Sequence, residues 1–249
     1  MLKGEAMLET GMAQAGEANA LGQAVGWPVA DWREAAWPPK TDLQGRFCRL
    51  EPLQAERHGP ALFAAMGADA EARNWTYLSY GPFADYADYY GWLAEQQWRR
   101  DPHFYAIVDA VSGEALGVAA YLRIDPAMGC IEVGHLNFSP LLQRRPAATE
   151  AMYLLMRQAF ELGYRRYEWK CDALNLPSQR AAQRLGFRFE GVFRQAMVYK
   201  GRNRDTAWFS ILDQEWPALR QGFEAWLSAD NFDAAGGQRR TLAQWRDGD

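Results

Sequence analysis

The stretch HLNFSPLLQRRPAATEAM, residues 135–152, joins a strand-like run to a helix-like run through a short loop. Such a junction leaves the first N–H groups of the helix unpaired at the positive end of its dipole, a setting that suits phosphate oxygens. Arg144 and Arg145 add two fixed positive charges at the same place. Pro146 fits the first helical turn, where an N–H has no intrahelical partner, although it also removes one donor. Read alone, the same residues describe a solvated helix start. His58 and His103 share no metal-ligand spacing with any neighbour, so no metal is expected. Cys48, Cys130 and Cys171 form no CxxC pair, which points to a reducing compartment without a disulfide framework.

Any phosphate site must be local. Lys and Arg number 27 against 31 Asp and Glu, a net charge of −4, which argues against a protein built to grip nucleic acid. At 49% hydrophobic residues the chain can fill a core. No apolar run approaches the roughly 20 residues of a membrane span. The start, MLKGEAMLETGM, carries Glu5 and Glu9 instead of an apolar signal core. A soluble, cytoplasmic protein is expected.

The elements that would position the loop follow from periodicity. RFCRLEPL reads as a strand, and AERHGPALFAAMGA as a helix whose start Gly59-Pro60 would delay. ADYADYYGWLAEQQWRR has near-helical spacing. HFYAIVDA, ALGVAAYLRID and CIEVGHLNFSP are three strands on short connections, hence an antiparallel meander. AATEAMYLLMRQAFELG is an amphipathic helix closed by Gly163. YRRYEWKCDA is a strand and NLPSQRAAQRLGF a short helix. FRFEGVFRQAMVYKG and RDTAWFSILD are strands joined at KGRN, and EWPALRQGFEAWLS is a last helix. The division expected is a mobile leader over 1–20, a Trp/Pro-rich arm over 21–45, one α/β (α+β) domain over 46–228, and a loosely held tail over 229–249. The indoles of Trp27, Trp32 and Trp37 would pack on the body or offer a partner platform, and the arm could support a homodimer.

This order of elements is that of the GNAT acyltransferase fold, and the chain resembles the GNAT superfamily, specifically its ribosomal-protein-N-acetyltransferase-like (RimJ/RimL-like) branch. The resemblance runs from residue 46 to about 215. IEVGHLNFSP carries it with Glu132 and Gly134, and QRRPAATEAM with Gln143, Ala148, Thr149, Glu150 and Ala151. NLPSQRAAQRLGFRFEGVFRQA adds Asn175, Ser178, Leu185, Gly186, Phe187, Glu190 and Gly191, and KGRNRDTAWFSIL resembles the closing hairpin.

The resemblance implies a mixed central sheet of about seven strands with helices on both faces. It implies a splayed fourth and fifth strand, here 130–138 and 165–172. Acetyl-CoA would wedge between them, its pantetheine pairing with the open strand edge. A backbone N–H near Leu136, Asn137 or Phe138 would polarise the thioester carbonyl. Gln143, Arg144, Arg145, Ala147, Ala148 and Thr149 would hold the pyrophosphate. Asn175 would hold the pantetheine amide arm, its side chain both donating and accepting, and Ser178 would protonate the departing thiolate. A primary amine would attack directly.

Two departures stand out. Pro146 stands where the resembled family usually has Gly and Arg144 where it often has Gly, and Met197 stands where some relatives have a general-base Glu. Glu132 and His135 are the substitute bases, His135 with an ordinary pKa near ~6.5, but strand alternation puts the two on opposite faces. Asp172 and Glu190 are expected at the surface and Cys171 as a packed small residue. Tyr77, Tyr80, Phe83 and Tyr86 would line the acceptor side, whereas Tyr89 and Trp92 would pack. Two alternatives stay open. One is a non-catalytic CoA-binding or protein-interaction module. The other is an aminoacyl-tRNA-dependent transferase, against which the acidic balance argues.

Overall fold

The computed structural model describes residues 16–247. Most of the expected leader lies outside them. Of the described residues, 16–33 belong to a unit of their own, with a small antiparallel ladder of β1 (Glu17–Ala18) and β2 (Ala24–Val25). Within it the Asn19 side chain accepts from the N–H groups of Leu21 and Gln23 across the turn.

The second unit begins at Glu34. Its sheet contains β3 (Leu43–Gln44), β4 (Cys48–Pro52), β5 (His103–Asp109), β6 (Ala115–Asp125), β7 (Cys130–Phe138), β8 (Arg166–Asp172), β9 (Arg188–Tyr199) and β10 (Arg202–Leu212). The order is β3-β4-β5-β6-β7-β8-β10-β9. It has eight strands because Leu43 pairs with Leu50 and adds the two-residue β3. Every pairing is antiparallel except β7 with β8, so a helix must cross between those two. That helix is α3 (Pro146–Glu161), with Pro146 in its first turn and Gly163 at φ 93 just past its end.

Two apolar layers cover the sheet. On one face α1 (Ala55–Met66) and α2 (Tyr86–Gln96) pack on Phe104, Ala106, Val118 and Ala120. On the other, α3, α4 (Leu176–Arg184) and α5 (Trp216–Leu227) pack on Tyr105, Tyr121, Ile131, Val133, Trp169 and Phe209. Burial on both faces explains why β5 and most of β6 are continuous apolar runs. In α1, Pro60 does not delay the start. The helix begins at Ala55 and Pro60 sits inside it on the exposed side, at the cost of its own N–H bond.

The tail is not loose. Leu242 of α6 (Leu242–Asp247) is buried in the α3-side core, and the buried Asn231 ties the segment before it to Trp226 and Arg240. Trp37 packs against the same core, with the Arg100 guanidinium 3.9 Å from its ring centre. Among the described residues no helix is long and apolar enough to cross a membrane.

Candidate active site

β7 and β8 pair only from Cys130↔Arg166 to Val133↔Trp169, although the strands continue to Phe138 and Asp172. A β-bulge accompanies the parting. Val118 pairs with Asn137 and Ala120 with Gly134, so one β6 residue, Ala119, faces two on β7, with His135 at φ 51. The bulge resets the alternation. Leu136 and Phe138 turn to the α3-side core, while His135 stacks on Tyr80 and packs at a tilt against Phe104 on the other face. Glu132 pairs across from Leu122 and is bound by Lys170, whose ammonium sits 3.7 Å from the Trp208 ring centre. Glu132 and His135 therefore share a face, contrary to the alternation expected for an unbroken strand. The Ser139 N–H donates to Leu116 O at 3.1 Å. Alternation from there turns the Phe138 N–H and C=O toward the open side. The C=O is already held, by Gln143 Nε2 at 2.7 Å and Asn74 Nδ2 at 3.1 Å.

At the start of α3, Arg144 adopts φ 62, the left-handed conformation for which Gly is the usual choice. The loop thus keeps a concave backbone without its glycine. The backbone N–H groups of Arg144 and Ala147 have no hydrogen-bond partner among the described residues. Arg145 departs from expectation. As N-cap residue it turns its guanidinium to the buried Asp109 carboxylate, at 3.2 and 3.3 Å, and to Leu141 O. Both arginines line the cavity beside this loop, but among the described residues only the Arg144 guanidinium of the pair has no hydrogen-bond partner. Glu150 is a tie: its carboxylate accepts the N–H groups of Arg46, Phe47 and Cys48 at 2.8, 2.6 and 2.8 Å. Gly45 is needed there, because a side chain would run into that carboxylate.

A cavity of 690 Å³ opens beside this loop, lined by Phe138, Arg144, Thr149, Trp169, Ala181 and Arg184 among others. Its size is ordinary for a small-molecule site of ~300–1,000 Å³. Arg184 donates to Thr149 Oγ1 at 3.1 Å, so α4 offers a guanidinium to the space that α3 begins. At the other end of α4, Asn175 is the N-cap and its Oδ1 accepts the Ser178 N–H at 3.1 Å. The acceptor half of that amide is occupied, leaving Nδ2 as donor. Ser178 Oγ accepts the Trp169 indole N–H at 3.0 Å, and its hydroxyl is a hydrogen-bond neighbour of the Cys171 thiol. Cys171 is buried and burial pushes its thiol up, as suits a packing residue.

On the α1–α2 side the four candidate aromatics separate. Tyr80 stacks between Trp92 and His135, at 4.4 and 5.6 Å between ring centres. Tyr77 reaches over to Leu174 O at 3.2 Å, and Lys200 of the β9–β10 turn donates to Trp75 O at 2.7 Å. Phe83 packs on Trp75, Tyr89 and Trp92, and Tyr86 on Phe63 and Tyr90, so their contacts lie within the helical layer. Burial, with Arg123 and Arg99 nearby, lowers His135 to about 4, too weak a base for an ammonium. Glu132 is bound by Arg123 at 2.5 Å and Lys170 at 2.8 Å. Asp172 is buried, not at the surface, and accepts from Tyr199 OH at 2.8 Å. Glu190 is clasped by both Arg166 Nη atoms and by Ser210. Among the described residues no cluster of His, Cys, Asp or Glu could hold a metal ion.

The family model for the acetyltransferase (GNAT) domain matches residues 48–188, which span the parted strands, the α3 loop and α4. The chain belongs to the GNAT acetyltransferase family. Members of this family transfer acetyl groups from acetyl-CoA. A crystal structure of a GCN5-related N-acetyltransferase from Brucella melitensis is 51% identical, with TM-score 0.86, over 88% of this chain and 100% of that one. The "uncharacterized N-acetyltransferase YnaD" of Bacillus subtilis (strain 168) is 30% identical over 86 residues, 34% of this chain, which spans half of that relative's length. RimL, a ribosomal L7/L12 alpha-N-protein acetyltransferase solved with coenzyme A, shares the fold at 20% identity and TM-score 0.59, over 69% of this chain and 98% of that one.

Within this GNAT domain two features escaped the sequence reading. The bulge was marked by a three-residue step in the apolar run Ile131, Val133, Leu136, Phe138, where period two would have given residue 135. Arg184 had no local signal. Its place depends on α4 lying beside the start of α3, which is a property of the assembled fold.

Proposed function

We propose that this GNAT protein transfers an acetyl group from acetyl-CoA to a primary amine by direct attack. The supporting observation is that the unpaired edge of β7 stands beside a cavity that begins at the free amides of α3 and ends at Arg184. The edge from Gly134 to Phe138 would accept the pantetheine as a strand accepts a neighbour. Arg144, with its own N–H and that of Ala147, would hold the diphosphate. Asn175 Nδ2 would donate to a pantetheine amide. Acetyl-CoA supplies the thioester carbonyl and a thiolate leaving group when bound. The Phe138 N–H is aimed to polarise a carbonyl in the crevice, and the Ser178 hydroxyl would supply a proton to the leaving sulfur.

No side chain is assigned as base. His135 is too weakly basic and both cations of Glu132 hold its carboxylate, so the amine would lose its proton to water. Tyr77 and Tyr80 are the acceptor-side aromatics whose contacts cross from the helical layer. The test is a panel of primary amines, N-terminal peptides included, with acetyl-CoA and thiol detection, beside calorimetric titration of CoA. Amine-dependent release of CoA is expected. Tight CoA binding with no amine-dependent release would reduce the protein to a CoA-binding module.

A further inference from the structure

The cavity has a wall from outside the family-matched residues 48–188. Trp226, at the end of α5, and Phe232, Gly236 and Gln238 of the following loop line the same space as Arg144 and Arg184. This loop is firmly built. Asn231 is buried behind it, with Nδ2 donating to Trp226 O at 2.9 Å and Arg240 O at 3.1 Å, and Oδ1 accepting from Arg240 N at 3.0 Å and Trp245 Nε1 at 3.2 Å. The Asp233 carboxylate accepts the N–H groups of Ala235 and Gly237. The Trp226 indole N–H fixes Gln238 through its Oε1 at 2.8 Å. Arg246 then clamps the tail onto the end of α4 through Gln183 O and Arg184 O.

The position of the wall decides what it can meet. Asn175 caps the end of α4 nearest β8, and Arg184 lies nine residues further along. At 1.5 Å per residue that is about 13 Å. A CoA with its thioester at the parted strands and its diphosphate at the start of α3 has only its nucleoside end left for this far part of the cavity. Two aromatic rings suit a purine, and a guanidinium steadied by Thr149 suits a phosphate.

We infer that Trp226, Phe232, Gln238 and Arg184 form the seat of the adenosine 3′-phosphate end of CoA. The assignment rests on the acetyl-CoA reading above. It is tested by calorimetric titration of CoA, dephospho-CoA (without the 3′-phosphate) and 4′-phosphopantetheine into the full chain and two variants. Arg184→Gln removes the charge. Gln238→Glu keeps the oxygen that Trp226 needs and adds a negative charge to the wall. Arg184→Gln should weaken CoA about tenfold, dephospho-CoA much less and phosphopantetheine not at all. Gln238→Glu should weaken CoA roughly threefold, again sparing phosphopantetheine. CoA binding unchanged in both variants, or an equal loss for CoA and phosphopantetheine, overturns the assignment. A wild-type chain that binds none of the three ligands instead removes the acetyl-CoA reading, and this seat with it.

Discussion

The histidines make the native state acid-sensitive before any carboxylate does. Burial, with Lys40 nearby, lowers His103 to about 4, and burial with Arg123 and Arg99 lowers His135 to about 4, against an ordinary value of 6.5. Below that ordinary value the unfolded chain takes up protons that the native chain refuses, so stability is full above pH 6.5 and is lost as the pH falls toward 4. Between pH 7.5 and 5.5 each of these two groups should remove about 1.3 kcal/mol of unfolding free energy. His58, lowered by burial and partly offset by its bond to Glu51, acts in the same direction. The perturbation is His135→Asn, because Asn tolerates the left-handed backbone at φ 51 and does not titrate. Urea unfolding at pH 7.5, 6.5 and 5.5 gives the readout. The variant should be less stable throughout, having lost its ring contacts with Tyr80 and Phe104. Its loss between pH 7.5 and 5.5 should be smaller than the wild type's by about 1.3 kcal/mol. An equal loss in both chains would refute the assignment of His135 as a half-buried neutral packing group. It would also reopen its candidacy as a base.

Three further expectations follow from individual contacts. Glu150→Ala leaves three buried or half-buried N–H groups at 46–48 without their acceptor and should cost about 3 kcal/mol or more, read by urea unfolding; a cost under about 1 kcal/mol would contradict the contacts. Arg144→Ala should weaken CoA several-fold, more in low salt than in high, whereas Arg145→Ala should lower stability by about 1–3 kcal/mol through the stranded Asp109 and leave CoA affinity nearly unchanged. Ser178→Ala should lower turnover by about tenfold or more with little change in CoA affinity; a parallel loss of binding would assign Ser178 to the packing of Trp169 instead.

Much of the architecture was legible because its signals are local. The helix at 146–161 was written in its apolar stripe and in Gly163, and the β5–β6–β7 meander in apolar runs separated by short turns. The start of α4 was written in Pro177, which sits in its first turn, whereas the capping role of Asn175 emerged from the structure. Other features depended on three-dimensional neighbours. Arg144 and Arg145 are adjacent, chemically identical and both line the cavity, yet the Arg145 guanidinium alone is drawn to Asp109, thirty-six residues earlier, because Asp109 is buried and needs a partner. The tail was misjudged because the residues that fix it, Asn231 and Leu242, are isolated in a polar, Gly-rich segment, and their partners sit on α5 and in the distant core.

The bond from Glu150 to residues 46–48 bears on where this domain can be cut. A chain begun at residue 48, where the family likeness starts, would lack the donors Arg46 and Phe47. A carboxylate in the opening turns of α3 would then stand largely unanswered, one turn from the amides proposed to hold phosphate. The smallest piece that keeps the loop in its working shape therefore has to begin upstream of Gly45, and the short β3 is the natural margin.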